Sequence, residues 1–109
     1  MIENLITIPQ NIYEAELHVI TLIGQLQEKK EALVNKETEL LLNGAIDGKN
    51  AEIRNAQLRE KTKDERETVK KAEEELNKAK ATLTLWNNRY RAARTTVFFL
   101  SSQNMLESA

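Results

Sequence analysis

Thr62-Lys63-Asp64-Glu65-Arg66-Glu67-Thr68-Val69-Lys70-Lys71-Ala72-Glu73-Glu74-Glu75-Leu76 decides the fold. Thr62, Val69 and Leu76 fall seven residues apart, Glu65 and Ala72 lie between them, and almost every other position is charged. That pattern encodes a helix with one inward seam and a solvated remainder. Downstream the seam continues through Ala79, Leu83, Trp86, Tyr90, Ala93, Val97 and Leu100, in alternating steps of three and four. A mean period of 3.5 residues implies left-handed supercoiling against a partner helix, that is, a coiled coil. Between Arg59 and Lys80 lie 8 basic and 7 acidic residues, so this stretch is a solvated face and not a charged docking patch.

Working upstream, the partner is in the same chain. Ile12, Val19, Leu26, Leu33 and Leu40 also recur every seven residues, supported by Ala15, Leu22 and Ile23. Thr7 as N-cap, Gln10 three residues on and Pro9 in the first turn start this helix at about Ile8. Gly24 interrupts it at a cost of about 1 kcal/mol relative to Ala; a close approach of the other helix and a tolerated defect are equally good readings. Between the two helices, Asn43 or Gly44 can take the left-handed C-cap conformation, and Asp47 or Asn50 can cap the next helix. The expected fold is all-α: a single-domain antiparallel helical hairpin spanning residues 1–109. Helix one covers about 8–43, the turn 44–50, and one unbroken helix two about 51–105, which is ~80 Å long at the helical rise. Glu107-Ser108-Ala109 reads as a disordered tail.

A fold about that turn would place Leu40 near Ile53, Leu26 near Glu67 and Ile12 near Ala81. The arms are then unequal. Helix one runs out opposite residue 84, leaving residues 86–106 either to project or to be met by Ile2, Leu5, Ile6 and Ile8.

Composition agrees with a helical rod and narrows its function. With 109 residues, 3 Gly, 1 Pro and 5% aromatics, the chain is short of turn formers and of core aromatics. A net charge of -1 favours neither nucleic acid nor a membrane surface for the molecule as a whole. The longest apolar run is Val97-Phe98-Phe99-Leu100, far short of a span, and no basic leader precedes an apolar stretch near Met1. Absence of Cys excludes disulfides and thiolate chemistry and fits a reducing, cytoplasmic setting. The one His, His18, has Glu14 four residues before it, which is two metal ligands where a site needs more. No Gly-rich phosphate loop is present, and the carboxylates are scattered along solvated faces. Neither enzymatic activity nor a cofactor is expected.

One segment differs in kind from the rest. Residues 85–100 hold the only Trp, both Phe and three Arg, and no acid follows until Glu107. Trp, Tyr and Arg dominate binding hot spots, and adjacent Phe98 and Phe99 cannot both face one partner helix. Trp86, Arg89, Tyr90, Arg91, Arg94, Phe98 and Phe99 are therefore the candidate partner-binding residues. The blander account has the aromatics closing the wide end of the hairpin, with Arg89 and Arg94 paired to Glu3. Burial against a second copy satisfies both accounts, so a homo-oligomer is expected. Interleaved Arg and aromatic residues also suit single-stranded nucleic acid, although three arginines are few and residues 1–42 carry 7 acids against 3 bases.

The turn and the helix start after it, Ile46-Asp47-Gly48-Lys49-Asn50-Ala51-Glu52-Ile53-Arg54-Asn55-Ala56-Gln57-Leu58, resemble a stretch common in small uncharacterised helical proteins of tailed bacteriophages and prophages. The resemblance implies an accessory protein of a bacterial host cell that binds host or phage proteins, including components of bacterial defence, as an inhibitor or other modulator. It transfers no functional residue. The leading expectation is therefore a non-enzymatic phage accessory protein acting through its aromatic end. The alternatives are a nucleic-acid-binding accessory to recombination or replication, and a purely structural coiled coil.

Overall fold

The computed structural model describes residues 2–108, with side chains described over 3–104. Every regular element among them is a helix: α1, Ile2–Leu42; α2, Ala51–Lys61; and α3, Lys63–Ser108. None of these is long and apolar enough to cross a membrane. The chain divides into two compact units, Thr21–Leu76 and the pairing of Met1–Ile20 with Asn77–Ala109. The side chains of Ile2, Met105 and Leu106, expected at the wide end, lie outside the described residues, as does Ala109. Glu107 and Ser108 belong to α3 and not to a disordered tail.

The seam read from the sequence matches the side chains that lose solvent. In α3, Leu76 and Ala79 are buried, and Glu65, Val69, Ala72, Leu83, Trp86, Tyr90, Ala93 and Val97 are half-buried. Only the last expected position, Leu100, remains exposed. In α1, Ile8, Val19, Leu22 and Leu40 are buried. Ile23 is exposed, because it lies one residue past Leu22 and so about 100° around the helix from it.

The unit Thr21–Leu76 is a hairpin closed by its own loop. Gly44 adopts φ +77, and the Ala45 N–H donates to the Leu40 carbonyl at 3.1 Å, a Schellman closure of α1 that needs a residue without a Cβ at this point. The Asn50 side chain accepts from the Ile53 N–H at 2.9 Å and caps α2. Residues 45–48 then run back along α2. Gln57 accepts from the Gly48 N–H at 2.9 Å and donates to Asp47 at 2.8 Å. Arg54 donates to the Gly48 carbonyl and Lys61 to the Ala45 carbonyl. Gly48 is tightly held: a Cβ there would lie 2.6 Å from Ile53 Cγ2 and 3.0 Å from the Arg54 nitrogen. No residue of α2 is buried, so this short helix is held to the loop by polar bonds.

Three expectations are corrected. First, α1 starts at Ile2, not near Ile8, so Thr7 does not cap it and Pro9 lies inside the helix. Pro9 brings no N–H to the Leu5 carbonyl, a loss of about 3 kcal/mol in a helix interior. Against this, continuing the helix keeps half-buried Leu5 on the face that buries Ile8.

Second, helix two is not continuous. Thr62, fully buried, takes φ -114 and ψ 21 and separates α2 from α3. Its hydroxyl donates to the Leu58 carbonyl at 2.6 Å, beside its own N–H at 3.0 Å. Such back-bonding by Thr bends helices.

Third, the register is displaced. Glu37, not Leu26, meets the start of α3, at 3.3 Å from Arg66, and Ile53, expected near Leu40, is 44% exposed. The loop bonds back to Arg54, Gln57 and Lys61 along α2, and the ion pair to α1 comes after it, from Arg66 of α3. In the other unit Asn11 lines a groove with Trp86 and Arg89, where Ile12 was expected beside Ala81. There the longer α1 lies beside α3 as far as residue 101.

Candidate functional site

Within the unit that joins Met1–Ile20 to Asn77–Ala109, the aromatic segment is divided between seam and surface. Trp86, Tyr90, Ala93 and Val97 occupy successive seam positions of α3 and are half-buried. Arg89 and Arg94, three and four residues further on from Trp86 and Tyr90, fold over them: the guanidinium carbons lie 5.0 Å from the Trp86 ring centre and 5.8 Å from that of Tyr90. Each is cation–π geometry. Arg89, Arg91 and Arg94 make no ion pair among the described residues, so the expected pairing of Arg89 and Arg94 with Glu3 is absent.

The seven candidate residues do not form one surface. Trp86 and Arg89 border an open groove of about 600 Å³, completed by Asn4, Thr7, Ile8 and Asn11 of α1. Tyr90, Arg91, Arg94 and Phe98 border a second, of about 800 Å³, with Leu5 and Val97. Phe99 lines neither. Phe98 is 74% exposed and Phe99 63%, which leaves two large adjacent rings in water. The N-terminal residues therefore do pack against this end of α3, but the Phe pair is not what they cover.

The sequence reading overlooked a second apolar stripe. Ile6, Tyr13 and Ile20 are seven apart, one position beyond the seam residues Leu5, Ile12 and Val19, and all three are exposed, Ile6 and Ile20 by 73% and 64%. The spacing was available as a signal. It was hidden because each member is adjacent to a stronger seam residue, and a one-residue step is easily absorbed into one broad face.

Among the described residues no cluster of three or more His, Asp or Glu is placed to hold a metal. No protein-family model, characterised protein or solved structure matches this chain.

Proposed function

We propose that the protein is a non-enzymatic accessory protein of a phage or prophage, acting in the cytoplasm of the bacterial host by binding a host or phage protein and modulating it. The observation that carries the binding part is the pair Phe98 and Phe99, both mostly in water, with Phe98 on the edge of a groove whose Arg91 and Arg94 make no ion pair among the described residues. Large apolar rings next to Arg are the composition of binding hot spots. The phage assignment rests on the likeness of residues 46–58. In the structure Asp47, Gly48, Asn50 and Gln57 of that stretch all serve the loop closure, which is a structural reason for the motif to recur.

Self-association belongs to the same reading, since exposed Ile6, Tyr13 and Ile20 offer an apolar stripe with helical spacing to a second copy. Base stacking is less well supported, because Trp86 and Tyr90 already carry their own arginines.

Affinity capture from a bacterial lysate tests the proposal, with wild type beside Phe98→Ser/Phe99→Ser. Both positions are exposed, so the variant keeps its fold, checked by circular dichroism and melting. A protein held by wild type and released by the variant is expected. Identical captures from the two baits would sink the assignment of this end as the binding surface.

A further inference from the structure

The groove edged by Tyr90, Arg91, Arg94 and Phe98 has a charge pattern that restricts what can fill it. From Leu76 to Leu106 the sequence holds five basic residues and no acid. Arg91 and Arg94 both line the groove, none of the residues around it is acidic, and neither arginine is ion-paired among the described residues. In the free protein this costs little, since both guanidinium groups are solvated. Once an apolar partner covers Phe98, Val97 and Leu5, the same groups lose water, and an uncompensated charge at an interface is strongly unfavourable. An occupant that brings apolar surface must therefore also bring carboxylates.

Geometry supports the same occupant. Arg94 lies over the Tyr90 ring, 5.8 Å from its centre, and makes no ion pair among the described residues, so its guanidinium N–H groups can take a carboxylate in a bidentate fork. Arg91 and Arg94 are three residues apart on one helix, ~4.5 Å along its axis. Carboxylates three or four residues apart on a second helix have matching spacing.

Resting on the protein-binding reading above, we propose that this groove docks an acidic amphipathic helix of a partner protein, with a large apolar residue set against Phe98 and Asp or Glu residues engaging Arg91 and Arg94. Nucleic acid shares the negative charge but not the fit, because a base would have to displace Arg94 from the Tyr90 ring before stacking there.

Fluorescence anisotropy on the full chain tests the proposal with three labelled, end-capped helical peptides. One carries a Leu stripe flanked by Glu, the second replaces Glu by Lys, and the third replaces the Leu stripe by Ala. A labelled single-stranded DNA is the fourth probe. The Glu–Leu peptide is expected to bind at least about tenfold more tightly than the other two peptides, with an affinity that falls as salt rises. Arg91→Glu/Arg94→Glu is expected to reverse the preference, taking the Lys–Leu peptide over the Glu–Leu one. Equal binding of the Glu and Lys peptides, or no binding of the Glu–Leu peptide, overturns the proposal. So does DNA binding that the charge reversal abolishes while the peptides are ignored. If Phe98→Ser releases the peptide but charge reversal does not, the acidic partner is wrong and the interaction surface stands. If neither variant changes binding, both readings fall.

Discussion

Arg66 donates through Nε to the hydroxyl of Thr62 at 2.9 Å, and through its other arm reaches Glu37 at 3.3 Å. Because that hydroxyl also donates to the Leu58 carbonyl, one buried side chain joins the break between α2 and α3 to the facing helix of the same unit. A buried hydroxyl with both its donor and an acceptor site used is stabilising; the same group left unpaired would not be.

Thr62→Val keeps the volume and removes both bonds, and is expected to lower stability by about 1–2 kcal/mol. Thr62→Ser keeps the hydroxyl and loses one methyl, at a cost of about 0.8 kcal/mol. Urea denaturation of the two side by side decides it. Val equal to or better than Ser would show that the network contributes nothing net. Glu37→Gln removes only a solvated pair and should cost under about 1 kcal/mol.

Gln57 is the next position to change. Its side chain serves Gly48 and Asp47 together, and α2 has no buried residue to hold it otherwise. Gln57→Ala is expected to loosen the loop, which Arg54 and Lys61 still tie to α2, so that amide hydrogen exchange accelerates over residues 45–58 while residues 21–40 keep their protection. Unchanged exchange at Gly48 would refute this.

Gly24 faces open space, with nothing within 4 Å of a Cβ built there, so the close helix approach allowed by the sequence is not made within the chain. Gly24→Ala should therefore raise stability by about 0.5–1 kcal/mol through helix propensity alone. A loss on thermal melting that grows with protein concentration would instead place a second copy against this residue.

Self-association through the second stripe of α1 predicts that Tyr13→Glu/Ile20→Glu lowers the mass seen by sedimentation at high micromolar concentration. The monomer should retain its helicity, since both side chains are exposed. A wild-type chain that sediments as a monomer throughout removes that part of the proposal.

Much of the inner face was legible in the sequence. Thr62, Val69, Leu76, Leu83, Tyr90 and Val97 were readable as one side of a helix, and the structure removes all six from solvent in part or in full. The ends of the loop were readable only as pairs, Asn43 or Gly44 and Asp47 or Asn50, from which the structure selects Gly44 and Asn50. At the candidate site their adjacency showed that Phe98 and Phe99 cannot both face one helix, because neighbouring residues on a helix point about 100° apart, while the exposure of both is seen only in the structure. Less legible was the division of Trp86 and Arg89 from Tyr90, Arg91, Arg94 and Phe98 into two grooves. That division depends on where α1 lies against α3.

By itself the sequence determined the helical class and which stripe of each helix turns inward, because a three-four spacing of apolar residues is a local property that no arrangement of neighbours need supply. Tertiary structure alone decided the register. Hydrogen bonds from Gln57, Arg54 and Lys61 back to residues 45–48 spend the whole of α2 on closing the loop, and a periodic seam of near-equivalent steps cannot choose between registers. In the other unit, the packing of α1 against α3 brings Leu5, Ile8 and Asn11 to the aromatic end, with Pro9 inside α1, and leaves Phe98 and Phe99 exposed near Arg91 and Arg94, which make no ion pair among the described residues.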